Sequence, residues 1–179
     1  MIIQNSLGLS EDSIVVPRGR KGLAALKIPL KDIHDVEARI PEIQRATPIT
    51  LPELVTVFTV GILKMSQILP VVELELREAK RAMEAARAIA LLERAEGVLK
   101  EKQIKSSADT REAAITMDTD VQEAQNRYDA LNAIQAFLQG KNNAFEMAYH
   151  GAKKICDLYV KSPSTPNYGG DEHSLRSRG

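Results

Sequence analysis

Aromatic side chains are scarce, at 4% of 179 residues and with no Trp. Single-strand readers that stack bases on aromatic platforms need such side chains, and so do most β-sandwich cores; the composition argues against both. The single Cys excludes a disulfide framework and a multi-Cys zinc site. Neither charge is in excess. The 24 Lys and Arg balance 24 Asp and Glu, which excludes a strongly basic chain but leaves room for a local basic stripe. Long apolar runs are also missing. The longest, Leu54 to Met65, is interrupted by Thr56, Thr59 and Lys64 and is shorter than a bilayer crossing. The start, Met1 to Ser6, lacks the basic and apolar regions of an export signal. The expectation is a soluble cytoplasmic protein with no membrane partner.

Proline is missing from Val71 to Ser162, a stretch in which only Gly97, Gly140 and Gly151 occur. Such a stretch permits long helices. Three regions follow: an irregular arm at 1–49, a helical body at 50–161, and a polar tail at 162–179 with the composition of disorder. The arm carries the basic, turn-rich Pro17-Arg18-Gly19-Arg20-Lys21-Gly22 and a short helix over Asp32 to Arg39. Most of it is expected to be ordered by a partner or not at all.

In the body, Thr50 is placed to cap a helix, with Pro52 in the first turn and Glu53 completing a capping box. Leu54, Phe58, Gly61, Met65 and Ile68 then recur at spacings of four and three. Pro70 is expected to kink or break the helix. The pattern resumes through Leu76, Ala79, Met83, Ala86 and Ala90 towards Lys105, with Gly97 as a weak point. A turn is expected at Lys105 to Asp109, capped by Asp109 or Ser107 with Glu112 in support. One further helix then runs from Asp109 to Val160, its seam passing through Val121, Tyr128, Leu131, Leu138, Phe145, Ala152 and Ile155, with Gln135 and Asn142 as polar positions. A second apolar face begins at Ile134 and Phe137. One face is expected to pack within the chain and the other between chains. The predicted fold is therefore all-α, with long antiparallel helices forming a helical hairpin with a leading helix, assembled as a homo-oligomeric bundle or ring. Phe137, Leu138, Phe145 and Tyr149 are the candidates for packing between helices or subunits.

Catalytic groups are few. His34, His150 and His173 stand far apart, with no carboxylate or Cys at ligand spacing, and Cys156 sits on the seam helix as a packed thiol. Asp118 and Asp120, two apart on a helix, point about 200° from each other. Glu93-Arg94-Ala95-Glu96 lacks the His of a di-iron Glu-x-x-His motif. Neither a phosphate-cradling glycine loop nor a Gly-x-Ser-x-Gly elbow occurs. No catalytic residue, metal ligand or cofactor is expected, and the chain reads as a non-enzyme.

The cations are more informative. Lys80, Arg87 and Arg94 stand seven apart, with Arg77 and Arg81 beside Lys80, and lie along one side of a helix. Repeated around an oligomer axis, such a side tracks a phosphate backbone without reading bases. A solvated face balanced by pairs such as Glu73 with Arg77, Glu96 with Lys100 and Glu101 with Lys105 is the plainer reading, and from periodicity alone it is favoured.

A resemblance shifts that weighting. Asp118-Thr119-Asp120-Val121, followed by Phe137, Gly140, Phe145, Lys153-Lys154 and Ile155, resembles the C-terminal half of the phage UvsY-like recombination mediators. The order of elements is similar too: a capped helix, a charged Glu/Ala/Lys/Arg helix, a polar break, then a long helix. The resemblance covers roughly 50–155. It implies a small helical, ring-forming protein that binds single-stranded DNA, loosens the single-stranded-DNA-binding protein and helps a RecA-like recombinase assemble. It also implies DNA contacts from the middle helix, where Arg77, Lys80, Arg81, Arg87 and Arg94 are the candidates. The family's Lys-x-Arg doublet stands here as Ala85-Ala86-Arg87, one cation short, for which Arg18, Arg20 and Lys21 of the arm offer either compensation or a contact for a partner protein. The alternative is a structural or scaffolding coiled-coil protein, of a phage particle for instance, without nucleic acid.

Overall fold

The computed structural model describes residues 12–16, 18–19 and 24–161. The tail at 162–179 lies outside these, as do Arg20 and Lys21 of the arm. The arm contains regular structure. Strands β1 (Ser13–Val16) and β2 (Leu26–Pro29) pair antiparallel, Ser13 opposite Pro29 and Val16 opposite Leu26. Their alternation turns Ile14, Val16 and Ile28 into the core. The Leu30 amide donates to the Asp12 carbonyl, and helix α1 (Leu30–Glu37) begins there. Its Leu30, Ile33 and Val36, three apart, are buried. A 3₁₀ turn, Ile40–Arg45, leads on to the body. The arm is thus not the irregular segment that its turn-rich composition suggests, and the all-α description needs this two-stranded sheet added. Neither strand is long enough to stand alone. Both lie on an apolar floor that the body supplies and that local sequence does not reveal.

Helix α2 spans Leu51–Ile89. Its cap is Thr47 rather than Thr50. The Thr47 amide donates to Thr50 Oγ1 at 2.9 Å, and the Thr47 carbonyl accepts from the Leu51 amide at 3.0 Å. Pro48, lacking an N–H, suits the position after a cap. Thr50 has helical angles and no capping bond, and Glu53 pairs with Arg39 across to the arm. Nor does Pro70 break the helix, which continues through it. The proline costs one backbone bond, but it faces solvent while Met65 and Val72 on either side are fully buried.

The irregularity falls later, at a π turn over Ala90–Arg94, and not at Gly97. Helix α3 (Ala95–Glu101) completes a continuous helix of 51 residues from Leu51. Gln103, at φ 54°, ends it. The Ile104 amide reaches back to the Leu99 carbonyl and the Gln103 amide to that of Lys100, a left-handed cap without glycine. Ser107 caps α4 (Ala108–Thr116) through a reciprocal bond with Thr110, not with Glu112. The expected single last helix is split. It breaks at Met117–Asp118, and α5 (Thr119–Lys161) starts afresh because Asp118 Oδ1 accepts the amides of Asp120 and Val121.

Helices α2 and α5 pack along each other in opposite directions, Gly61 lying against Phe145 and Glu75 against Arg127. Their facing positions are Leu54, Phe58, Gly61, Met65, Val72 and Ala79 on α2, and Leu131, Ile134, Leu138, Phe145, Ala148 and Ala152 on α5. With the buried arm residues these form one core. Leu138 and Phe145 pack between helices of the same chain; Tyr149 and Cys156 are half-buried at its edge, and Phe137 is exposed. Gln135 and Asn142 are half-buried, Asn142 donating to Glu146 one turn on. A Cβ at Gly61 would sit 2.9 Å from Val36 Cγ1 and 3.1 Å from the Phe145 ring, so glycine lets α1 and α5 close on α2 together. A second, thin core of Ala90, Ala95, Ile115 and Val121 joins α4 to the far end of α2.

Candidate nucleic-acid interface

The five candidate cations lie on one continuous helix, and the structure divides them by what they touch. Arg77 is exposed and pairs with Glu73 one turn earlier, as the sequence suggests. Lys80 and Arg81 are exposed and make no ion pair among the described residues. Arg87 crosses to Glu112 of α4. Arg94 reaches Asp118 Oδ2 at 2.9 Å and Asp120 Oδ2 at 2.6 Å.

Arg87 and Arg94 are therefore clasps rather than free cations. Each fastens α2 or its π turn to the chain that follows, and Asp118 and Asp120 converge on one guanidinium although two helical positions two residues apart would have diverged. They converge because Asp118 lies just outside α5, as its cap. The carboxylates of Asp118 and Asp120 raise the Arg94 pKa above its ordinary value, the bond to Asp120 being the chief cause. Arg87 also borders an open cleft of about 230 Å³ with Ile115, Val121, Gln122 and Gln125. Glu96, paired on sequence grounds with Lys100, instead pairs with Arg111 of α4.

The charged group that sequence reasoning passed over is Glu75. It is 3% exposed on the packed face of α2. Its Oε2 accepts the Gly19 amide at 2.7 Å, and the guanidinium groups of Arg18 and Arg127 stand at 3.6 and 3.5 Å. Arg18, read as a compensating DNA contact, is turned inward onto this carboxylate. Three more pairs fasten the arm: Lys64 to Asp32 at 2.8 Å, Lys141 to Glu37 at 2.6 Å, and Arg39 to Glu53 at 2.9 Å. A signal for Glu75 does exist in the sequence. Counting four and three onward from Met65 gives 68, 72, 75 and 79, which places a carboxylate in an apolar seam.

Among the described residues no group of three or more His, Cys, Asp or Glu is placed to hold a metal. The helix from Leu51 to Glu101 contains an 18-residue window of mean hydropathy 1.7, long and apolar enough to cross a membrane, of which 22% is buried. No family model, curated protein or solved structure matches the chain.

Proposed function

We propose that the chain is a recombination mediator that binds single-stranded DNA without sequence preference, as a homo-oligomeric ring or bundle of helical hairpins. It helps load a RecA-like recombinase onto strands covered by single-stranded-DNA-binding protein. The observation that carries this reading is the adjacent pair Lys80–Arg81, exposed and without an ion pair among the described residues, midway along the long helix, where UvsY-like mediators place their DNA contacts. Repeated around an axis, that pair supplies regularly spaced positive charge. Each phosphate neutralised releases counterions, so affinity falls with salt at a slope of about 0.7 per contact. Such a ring wraps the strand, weakens the competitor's hold and presents the strand to the recombinase. No covalent chemistry is involved, and the chain is not proposed to be an enzyme.

The scaffold reading has one observation in its favour: Arg87 and Arg94 are consumed by internal pairs. The test is fluorescence anisotropy with labelled oligo-dT across a salt series, with light scattering on the same samples. The mediator predicts steep salt dependence, lost in Lys80→Glu/Arg81→Glu with the oligomer intact. An intact oligomer with no binding at low salt would sink the mediator and leave the scaffold.

A further inference from the structure

The outward side of α2 carries an apolar stripe that none of the described residues covers. Val60, Leu63 and Leu74 are 44%, 57% and 50% exposed, and Pro70 is exposed between them. Their spacings of three and four put them on one face. Gln67 is the one polar position in the series. A second stripe runs down α5 at the same spacing: Ala130, Ala133, Phe137, Gly140, Ala144 and Met147, with Phe137 38% and Met147 73% exposed. A Cβ at Gly140 would meet nothing within 4 Å, so no contact with the described residues calls for glycine there. A mid-helix glycine still costs about 1 kcal/mol relative to alanine.

The α2–α5 contact fixes how the two stripes are levelled. Gly61 lies beside Phe145, and Glu75 beside Arg127. A residue of α2 is thus level with the α5 residue whose number complements it to roughly 204, the mean of those two pairs taken at the α-helical rise. On this scale Leu74 is level with Ala130, Pro70 with Ala133, Leu63 with Gly140 and Val60 with Ala144. Phe137, the one large residue in this part of the α5 stripe, is level with Gln67, where the α2 stripe has no apolar side chain. Knobs on one stripe match gaps on the other, height for height. The charges at the ends match as well. Arg77 falls within a turn of Asp129, and Glu53 within a turn of Lys154, all four exposed, with Arg77 and Glu53 also paired within the chain to Glu73 and Arg39.

We infer that the α2 stripe of one copy packs against the α5 stripe of a second copy, antiparallel and without axial displacement. This deepens the oligomer in the function proposed above and rests on that reading. The contact is heterologous: each copy offers a different face to each neighbour. Because it involves no rise, repetition stays in one plane, and it makes a ring where the rotation per copy divides the circle. A bilayer is the poorer occupant for the α2 stripe. The other face of the same window is packed on α5, whose Lys141 and Glu146 would have to enter the hydrocarbon with it.

The experiment uses the full chain in a Cys156→Ser background. One tagged preparation carries Leu63→Cys and a differently tagged one carries Gly140→Cys; they are mixed and treated with a short bismaleimide. The expected product is a cross-link between the two tags, with little within either preparation alone. Predominant linkage of Leu63→Cys chains to each other, or a monomer by light scattering at tens of micromolar, would overturn the inference. As a second arm, Gly140→Leu should cut the mass to that of a monomer while helicity by circular dichroism is unchanged; an unchanged mass would overturn it. DNA binding is read separately on the same samples. Cross-linking without DNA binding removes the mediator and keeps the interface, and DNA binding by an oligomer that does not cross-link does the reverse.

Discussion

The two ends of the long helix are held by different means. From Leu51 to Ala79, α2 lies in a core shared with α5 and the arm, containing Phe58, Phe145, Leu131 and Ile14, all fully buried. From Met83 to Glu101 the buried set shrinks to Ala90, Ala95 and Leu99 against Ile115 and Val121, and Leu92 is 81% exposed. At that end arginine clasps take over, Arg87 to Glu112, Arg94 to Asp118 and Asp120, and Arg111 to Glu96. Burial of large side chains contributes kilocalories each, whereas exposed ion pairs contribute about 0–1 kcal/mol. The arm end should therefore set global stability, and the far end should open first.

The strongest way to break this contrast is Phe145→Ala. It should cost about 3–5 kcal/mol, read as a lower urea midpoint with an unchanged slope. A loss below 1 kcal/mol would mean that the arm-end core is not the stabilising one. Glu75→Ala comes next. It strands Arg18 and Arg127 around a hole, and Nε of both already lacks a hydrogen-bond partner. A loss of about 3 kcal/mol is expected, with faster amide exchange in β1 and β2, because the Gly19 anchor goes too. Glu75→Met, which fills the space, should cost less than Glu75→Ala only if packing matters more than charge here. Arg94→Ala should leave the urea midpoint nearly unmoved while amide exchange in α4 and the first turn of α5 rises at least tenfold. A global shift instead would erase the distinction between the two ends.

The smallest effect concerns pH. Lys64 holds the Asp32 carboxyl below its ordinary pKa through their hydrogen bond. A lowered folded-state value means that the pair's contribution is present above the ordinary carboxylate range and is lost as pH falls through the lowered value. Asp32→Asn should thus be slightly less stable than the parent at neutral pH, and the gap should close in acid. A gap that persists there would assign the effect to packing.

The helical body was legible because its signals are local. Leu131, Leu138, Phe145 and Ala152 repeat at the spacing of a helix face, and they are buried. The break at Asp118 was not legible as a break, because the apolar spacing runs smoothly across it; what splits the helix is a side chain accepting two amides and an arginine from 24 residues earlier. Gln103 ends α3 in a conformation that glycine normally signals, so no punctuation marks it. The arm's strands depend on an apolar surface more than 20 residues away in sequence. Of the candidate site, the exposure of Lys80 and Arg81 follows from helical phase, but the capture of Arg87 and Arg94 by acids of later elements does not.

The π turn at Ala90–Arg94 has a consequence for how the gene can vary. One extra residue is accommodated there, which sets everything downstream back by about 100° around the axis relative to an unbroken α-helix. The seven-residue ladder of Lys80 and Arg87 therefore does not carry over to Arg94, which is swung round to meet Asp118. Deleting one residue within Ala90–Arg94 would leave an ordinary α-helix with everything downstream in its present phase, so the clasp to Asp118 would be kept. A deletion anywhere from Leu54 to Ala79 would instead rotate packed side chains out of the core. Length changes should accordingly be tolerated within those five residues and rejected along the helix before them.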